Sequence, residues 1–243
     1  MRHDSPPAGL PAPSRRSFEP TTRRVAGALA IAFGRTIGVH AAPMNRAFFR
    51  TAAAAMLALH HVLNPAAPDQ RILSLAEREK APMLKTLEQV VGVESGSRDV
   101  DGLARAAVLI AARLTELGGR VEQIPAGREL YRMADTPENI GASVRATFTG
   151  TGTRSILLLA HMHTVYPRGT IARQPFRIDG DRVYGVGIAD DKHGVALILH
   201  VVSLLKQLEF RSYRTLTVLI NGDEELSSPG SRQLITQQGA EHD

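Results

Sequence analysis

Three clusters of side chains able to bind a metal stand out in this chain of 243 residues: His161-Met162-His163, Asp190-Asp191 and Asp223-Glu224-Glu225. Each follows an apolar run of strand character, and in an open α/β sheet the segments leaving several strand ends converge on one crevice. Histidine with carboxylates is the ligand set of a catalytic zinc site. The sequence has no cysteine, so His, Asp and Glu are the only metal-binding chemistry available. These residues point to metal-assisted hydrolysis.

A neutral imidazole gives one ring nitrogen to zinc while a hydrogen bond holds the other, and His161 at the exit of a buried strand suits that work. A lone histidine there would more often only cap the strand; the two other clusters at comparable exits reverse that weighting. Asp190 sits in a Gly-bounded loop just before a helix, placed either to bridge two cations or to cap the helix, a task that Asp191 fits better. Glu224 and Glu225 are adjacent, so in extended backbone they point to opposite sides. One can bind metal while the other faces substrate and acts as general base. Alone, that acidic run would read as a solvated turn.

Bringing such distant segments together requires a sheet. Ordered structure is expected from about Leu73, with Pro82 in the first turn of a helix that runs to Val91 and stops at Gly92. A second helix runs from Asp101 as N-cap to Leu117, its apolar stripe on Leu103, Ala106, Ala107, Ile110 and Leu114. Val121–Ile124, Ala142–Thr149, Ser155–Ala160 and Thr215–Ile220 read as strands, the third as a doubly covered one. Asp179-Gly180-Asp181 marks a hairpin between 176–178 and 182–184. Helices are expected over 192–208 and 231–237. Strands alternating with helices predict an α/β fold, a three-layer αβα sandwich around a mostly parallel mixed sheet. Gly150-Thr151-Gly152-Thr153 begins like a dinucleotide fingerprint, but a strand follows it rather than a helix, so it reads as a turn.

Composition, at 43% hydrophobic and 22% charged, leaves class to be decided by pattern. The net charge of +5 is uneven: residues 1–71 hold nine Arg and three acids, whereas residues 72–243 are close to neutral. The basic excess belongs to the leader and gives little support to a phosphate-binding face, so no nucleic-acid partner is expected. No apolar run reaches the length of a membrane span. Within the leader, Arg46 and Arg50 precede the Ala/Leu-rich run 51–59 and then Pro65-Ala66-Ala67, the order of an export signal. Arg23-Arg24 before 25–33 resembles a twin-arginine alternative. The expected division is a leader over 1–72 and a catalytic-domain portion over 73–243. The expected location is periplasmic or secreted, and cytoplasmic if the leader does not act as a signal.

Three stretches together carry a family resemblance: 157–166 around His161-Met162-His163, 184–192 ending in Asp190-Asp191-Lys192, and Asn221-Gly222-Asp223-Glu224-Glu225 with Gly230-Ser231-Arg232 behind it. They resemble the dizinc carboxypeptidase and aminoacylase family, on the side of the bacterial glutamate carboxypeptidases. The resemblance implies a zinc exopeptidase fold in which His161 ligates one zinc, Asp190 bridges two, Glu225 ligates the other and Glu224 is the general base. It implies hydrolysis of an amide or peptide bond next to a free carboxylate, as in a C-terminal glutamate or an N-acyl amino acid. It also implies a possible homodimer in the complete protein.

Two departures from the family pattern stand out. His163 occupies the position where the family has Asp, a catalytic-site support; it predicts weaker metal binding and activity, or a histidine that itself joins the metal shell, being two residues along a strand from His161. His193 stands where relatives carry Gly. A further acidic ligand and a late histidine are missing, so the chain is expected to be a C-terminally incomplete version of the catalytic domain that holds zinc weakly. The competing reading is a non-catalytic remnant, acting as a binding protein or an inactive fragment.

Overall fold

Periodicity sorts the segments into strands and helices, and burial shows which of them form the core. A computed structural model describes residues 69–127 and 131–243; the export-signal candidates lie outside these residues. The main sheet holds β1 (Arg120–Ile124), β2 (Ser143–Thr149), β3 (Ser155–His161) and β6 (Thr215–Asn221) in the order β1-β2-β6-β3. β4 (Arg177–Asp179) and β5 (Arg182–Tyr184) form the expected hairpin. The sheet is mixed: β3 runs parallel to β6, while β2 is antiparallel to both β1 and β6.

β6 is the central strand, buried from Leu216 to Asn221. On one face, Val144, Ala146 and Phe148 of β2 stand opposite Ile220, Val218 and Leu216. Helices α2 (Val100–Glu116) and α3 (His193–Gln207) cover that face with Ala106, Ile110, Leu114, Val195, Leu199 and Val202. A fully buried Ile110 or Leu114 contributes about 1.5–3 kcal/mol through the hydrophobic effect. The other face carries Thr217, Leu219 and Asn221, and α4 (Arg232–Glu241) lies over it: His242, just past its end, bonds Thr217 Oγ1 at 2.8 Å, and Ser231, just before its start, takes a bond from Asn221 at 3.1 Å. The expected αβα layering is present.

Two boundaries differ from expectation. Helix α1 (Gln70–Val91) starts at Asp69, whose side chain accepts from the Arg71 N–H, and Pro82 lies inside it rather than at its first turn. Pro82 is exposed, and so is Arg78, whose carbonyl it leaves without an intrahelical donor. Helix α2 is capped by Asp99, not Asp101: the Asp99 carboxylate accepts from the Gly102 N–H at 2.9 Å. A Cβ at Gly102 would stand 2.6 Å from that carboxylate, so the glycine makes room for the cap. α1 is held on α3 by His200, which bonds Glu79 at 2.7 Å and Thr86 at 2.9 Å. Among the described residues no helix is long and apolar enough to cross a membrane.

Candidate metal centre

The parallel pairing of β3 with β6 sets His161 beside Asn221, so both strands leave the same end of the sheet. His161-Met162-His163 and Asp223-Glu224-Glu225 therefore arrive side by side. Asp190 comes from the turn Ile188–Lys192 that leads into α3. That turn needs two glycines: Gly187 has φ +69° and a Cβ there would meet Thr164 Cγ2 at 2.3 Å, while a Cβ on Gly194 would meet the Asp191 carboxylate at 2.2 Å. The Asp190-Asp191 peptide bond is cis.

The structure brings His161, Asp190 and Glu225 together, with ligand atoms from each lying within 4.8 Å of one another. His161 Nε2 is 2.8 Å from Asp190 Oδ1 and 3.7 Å from Glu224 Oε2. Its Nδ1 lies 3.1 Å from the His163 carbonyl, a contact that fixes Nδ1–H and turns Nε2 toward the carboxylates. Asp190 and Glu224 are largely exposed, while His161 is buried. Burial and then the neighbouring Asp190 carboxylate push the Glu225 carboxyl above its ordinary range.

Among the described residues, no Lys or Arg pairs with Asp190, Glu224 or Glu225 within 4 Å; the partner of the first two is His161. An imidazole of fixed tautomer facing three carboxylates without a counter-cation is a donor set that fits a divalent metal ion.

His163 stands apart from this group. It is fully buried, its Nε2 accepts from the Glu225 N–H at 2.7 Å, and its Nδ1 has no partner. Burial, then the charge of His161, hold the ring far below the usual histidine range, at about 3, so it is neutral. The expectation that it enters the metal shell does not match this placement: its ring packs edge-on against His161 and its acceptor nitrogen is taken by backbone. His193 bonds the Ile188 carbonyl at 3.0 Å and stays at the edge of the site.

Two residues that the sequence motifs include without a role of their own have structural work here. Asp223 is buried and accepts from the Gly230 and Ser231 N–H groups and the Ser231 hydroxyl, which folds the segment behind Glu224 and Glu225. Lys192 is buried too, its amine donating to the carbonyls of Val90 at 3.1 Å and Val93 at 2.6 Å. A lysine opening an otherwise apolar helix was the available signal for the second.

Comparison with known proteins agrees with this geometry. The sequence model of the peptidase family M20/M25/M40 matches residues 157–243, the stretch that holds all three clusters. Carboxypeptidase G2 of Pseudomonas sp. (strain RS-16) is 40% identical over 198 residues, 80% of this chain and 46% of that protein. Succinyl-diaminopimelate desuccinylase of Gluconobacter oxydans is 36% identical over 129 residues, 51% of this chain and 30% of that one. The chain thus spans less than half the length of these relatives. Human carnosine dipeptidase 1 shares the fold at a TM-score of 0.59 and 20% identity, over 72% of this chain and 39% of that structure. An M20 family metallo-carboxypeptidase from Sulfolobus solfataricus does so at 0.52 and 19%, over 66% and 35%. Residues 157–243 of this chain belong to the peptidase family M20/M25/M40.

Proposed function

We propose that this chain carries the metal-binding half of a zinc-dependent exopeptidase or amidohydrolase acting on an amide bond next to a free carboxylate, such as a C-terminal glutamate or an N-acyl amino acid. The observation that carries this reading is the meeting of His161, Asp190 and Glu225 from three separate segments. Relatives named as a carboxypeptidase, a desuccinylase and a dipeptidase support the substrate class. By the family resemblance, His161, Asp190 and Glu225 are the residues that would hold the zinc.

Zinc bound there would supply Lewis acidity toward a carbonyl oxygen and toward water. The chain's own residues do the rest. His161 keeps its ring oriented through Nδ1–H to the His163 carbonyl. Glu224, solvent-exposed and 3.7 Å from His161 Nε2, holds a carboxylate where a proton can be taken from attacking water and returned to the leaving nitrogen. His163 is a positioning residue that fixes the backbone of Glu225. Export through the leader, with 73–243 as the catalytic portion, completes the proposal.

A second reading, a non-catalytic metal-binding remnant, is favoured by the donor count. Among the described residues three donors meet, as many as one catalytic zinc takes from protein and too few for two. Metal analysis after dialysis, with turnover of an acyl-glutamate, separates the readings. Zinc retained and lost in His161→Ala, with turnover lost in Glu224→Gln at unchanged zinc content, supports the hydrolase. Zinc bound without turnover supports the remnant, and a wild-type chain that takes up no zinc on titration removes the metal centre on which both readings rest.

A further inference from the structure

The Gly150-Thr151-Gly152-Thr153 turn, remote from the metal cluster, grips a second segment of the chain. Gly150 N–H donates to the Arg214 carbonyl at 3.0 Å, Thr151 N–H to that of Arg211 at 2.8 Å and Gly152 N–H to that of Tyr213 at 2.9 Å. The fit leaves no room for a side chain: a Cβ on Gly150 would stand 2.0 Å from the Tyr213 carbonyl oxygen. The clamp holds the segment 209–214 as one wall of a cavity of about 650 Å³, a volume in the range of small-molecule sites. This cavity lies where α2 and α3 end and β6 begins, so about 17 Å of strand separates Leu216 on its wall from Asn221 beside the metal cluster.

The floor of the cavity is apolar and its rim is charged. Phe148, Val202, Tyr213 and Leu216 are buried beneath it, while the Phe210 ring, 44% exposed, stands 6.3 Å from that of Tyr213. On the rim, the Lys206 amine is held by the Glu116 carbonyl at 2.9 Å and the Arg211 guanidinium by the Thr149 carbonyl at 3.2 Å. Main-chain oxygens thus fix both cations without neutralising them. The third rim charge is the Glu209 carboxylate; among the described residues neither cation has a carboxylate within 4 Å, and Glu209 has no cation within 4 Å.

Glu209 also occupies a backbone position that glycine usually fills. The N–H groups of Glu209 and Phe210 bond the Lys206 and Leu205 carbonyls at 3.0 and 2.9 Å, the pattern that ends a helix through one left-handed residue. Glu209 takes that conformation, with φ 53°. Glycine there would avoid the strain, whereas the glutamate brings a carboxylate to the rim beside the carbonyl end of α3, where a cation is favoured.

We propose that this cavity binds a free amino acid with a large apolar side chain, at a site separate from the metal centre. Its ammonium meets Glu209, its carboxylate meets Arg211 and Lys206, and its side chain lies on the surface of Phe148, Phe210 and Leu216. A simple anion would be repelled by Glu209, and a simple cation would face two like charges. The zwitterion engages all three groups.

The test is amide chemical-shift titration of the isotopically labelled full chain with L-phenylalanine, 3-phenylpropanoate, 2-phenylethylamine and L-alanine. L-Phenylalanine is expected to shift the amides of Gly118, Phe210 and Arg211 and to bind about fivefold tighter than each of the others. Glu209→Gly relieves the left-handed strain, so it should melt no lower than the wild type, yet it should bind L-phenylalanine no tighter than 3-phenylpropanoate. Lys206→Met should weaken L-phenylalanine and 3-phenylpropanoate alike and leave 2-phenylethylamine no weaker. Equal affinity of the wild type for L-phenylalanine and 3-phenylpropanoate, no shift at about 10 mM ligand, or shifts confined to 161–163 and 223–225 would overturn the inference. The last would place the amino acid at the metal centre instead. Either variant binding all four compounds as the wild type does would overturn it too, leaving the rim charges as ordinary surface.

Discussion

His163 accepts the backbone N–H of Glu225 on its Nε2 at 2.7 Å, which ties the exit of β3 to the exit of β6 through a neutral, buried ring. The bond fixes where Glu225 begins, but its other nitrogen, Nδ1, is buried without a partner. An aspartate in that position would accept the same N–H and add a negative charge behind His161. His163→Asp is therefore expected to tighten zinc binding by about 10-fold or more, the scale on which outer-shell partners act. Zinc titration of the two proteins checks this, and equal affinities would show that the histidine supports the site as well as a carboxylate does.

Glu225 lies among Asp190, Glu224 and a low-dielectric wall, which is why its carboxyl is pushed upward in the metal-free chain. Glu225→Gln removes a charge the metal-free fold holds at a cost, so the metal-free variant should melt no lower than the wild type. Zinc at 100 times its Kd should stabilise the wild-type chain by about 2.7 kcal/mol, and that gain should shrink or vanish in the variant. Thermal melts with and without zinc read both effects. A variant that keeps the full zinc-induced rise would remove Glu225 from the ligand set.

Much of this arrangement was legible in the sequence, because strand runs of one period and helix stripes of another fix what faces the core. Ser155 to Ala160 and Thr215 to Ile220 read as strands, and their exits place His161 and Glu225 where the structure has them. What pattern could not give was side-chain direction. His161 and His163 are two apart, which in a continuing strand puts both on one side; β3 ends at His161, and the chain beyond it sends the second ring into the interior. The cap of α2 was misplaced by two residues because Asp99 and Asp101 are equivalent in sequence. Only the packing of Gly102 against Asp99 separates them. The extent of antiparallel pairing was hidden for a similar reason, since strand order depends on contacts between distant segments.

Asp99 joins two jobs, capping α2 through the Gly102 N–H and holding Arg168. The Arg168 hydrogen bonds, with the Gly102 N–H adding to them, hold its carboxyl below the usual value of 3.8. A carboxyl lowered in the fold stabilises at pH above its unfolded value, and that contribution is lost as pH falls through the folded value. Asp99→Asn should cost about 1 kcal/mol near pH 7, solvent screening included, and the difference should close as pH drops below about 3.8. Urea unfolding across pH reads it. A gap independent of pH would mean that shape, and not charge, does the capping.

Lys192 is 1% exposed, yet its amine meets the carbonyls of Val90 and Val93, where α1 ends and the segment leading to α2 begins. Burial depresses the amine to about 8, so near neutral pH it is mostly charged and faces the negative end of the helix. Lys192→Met keeps most of the side-chain length but leaves both carbonyls without that donor. Losing two hydrogen bonds from a charged group in a buried setting is expected to cost about 2–4 kcal/mol. The loss should appear as a lower urea midpoint at unchanged slope, with zinc binding weakened because Lys192 is two residues from Asp190 on the same turn. A wild-type midpoint in this variant would show that water or a backbone shift can take over both carbonyls, and that the junction of α1 with the site does not depend on the amine.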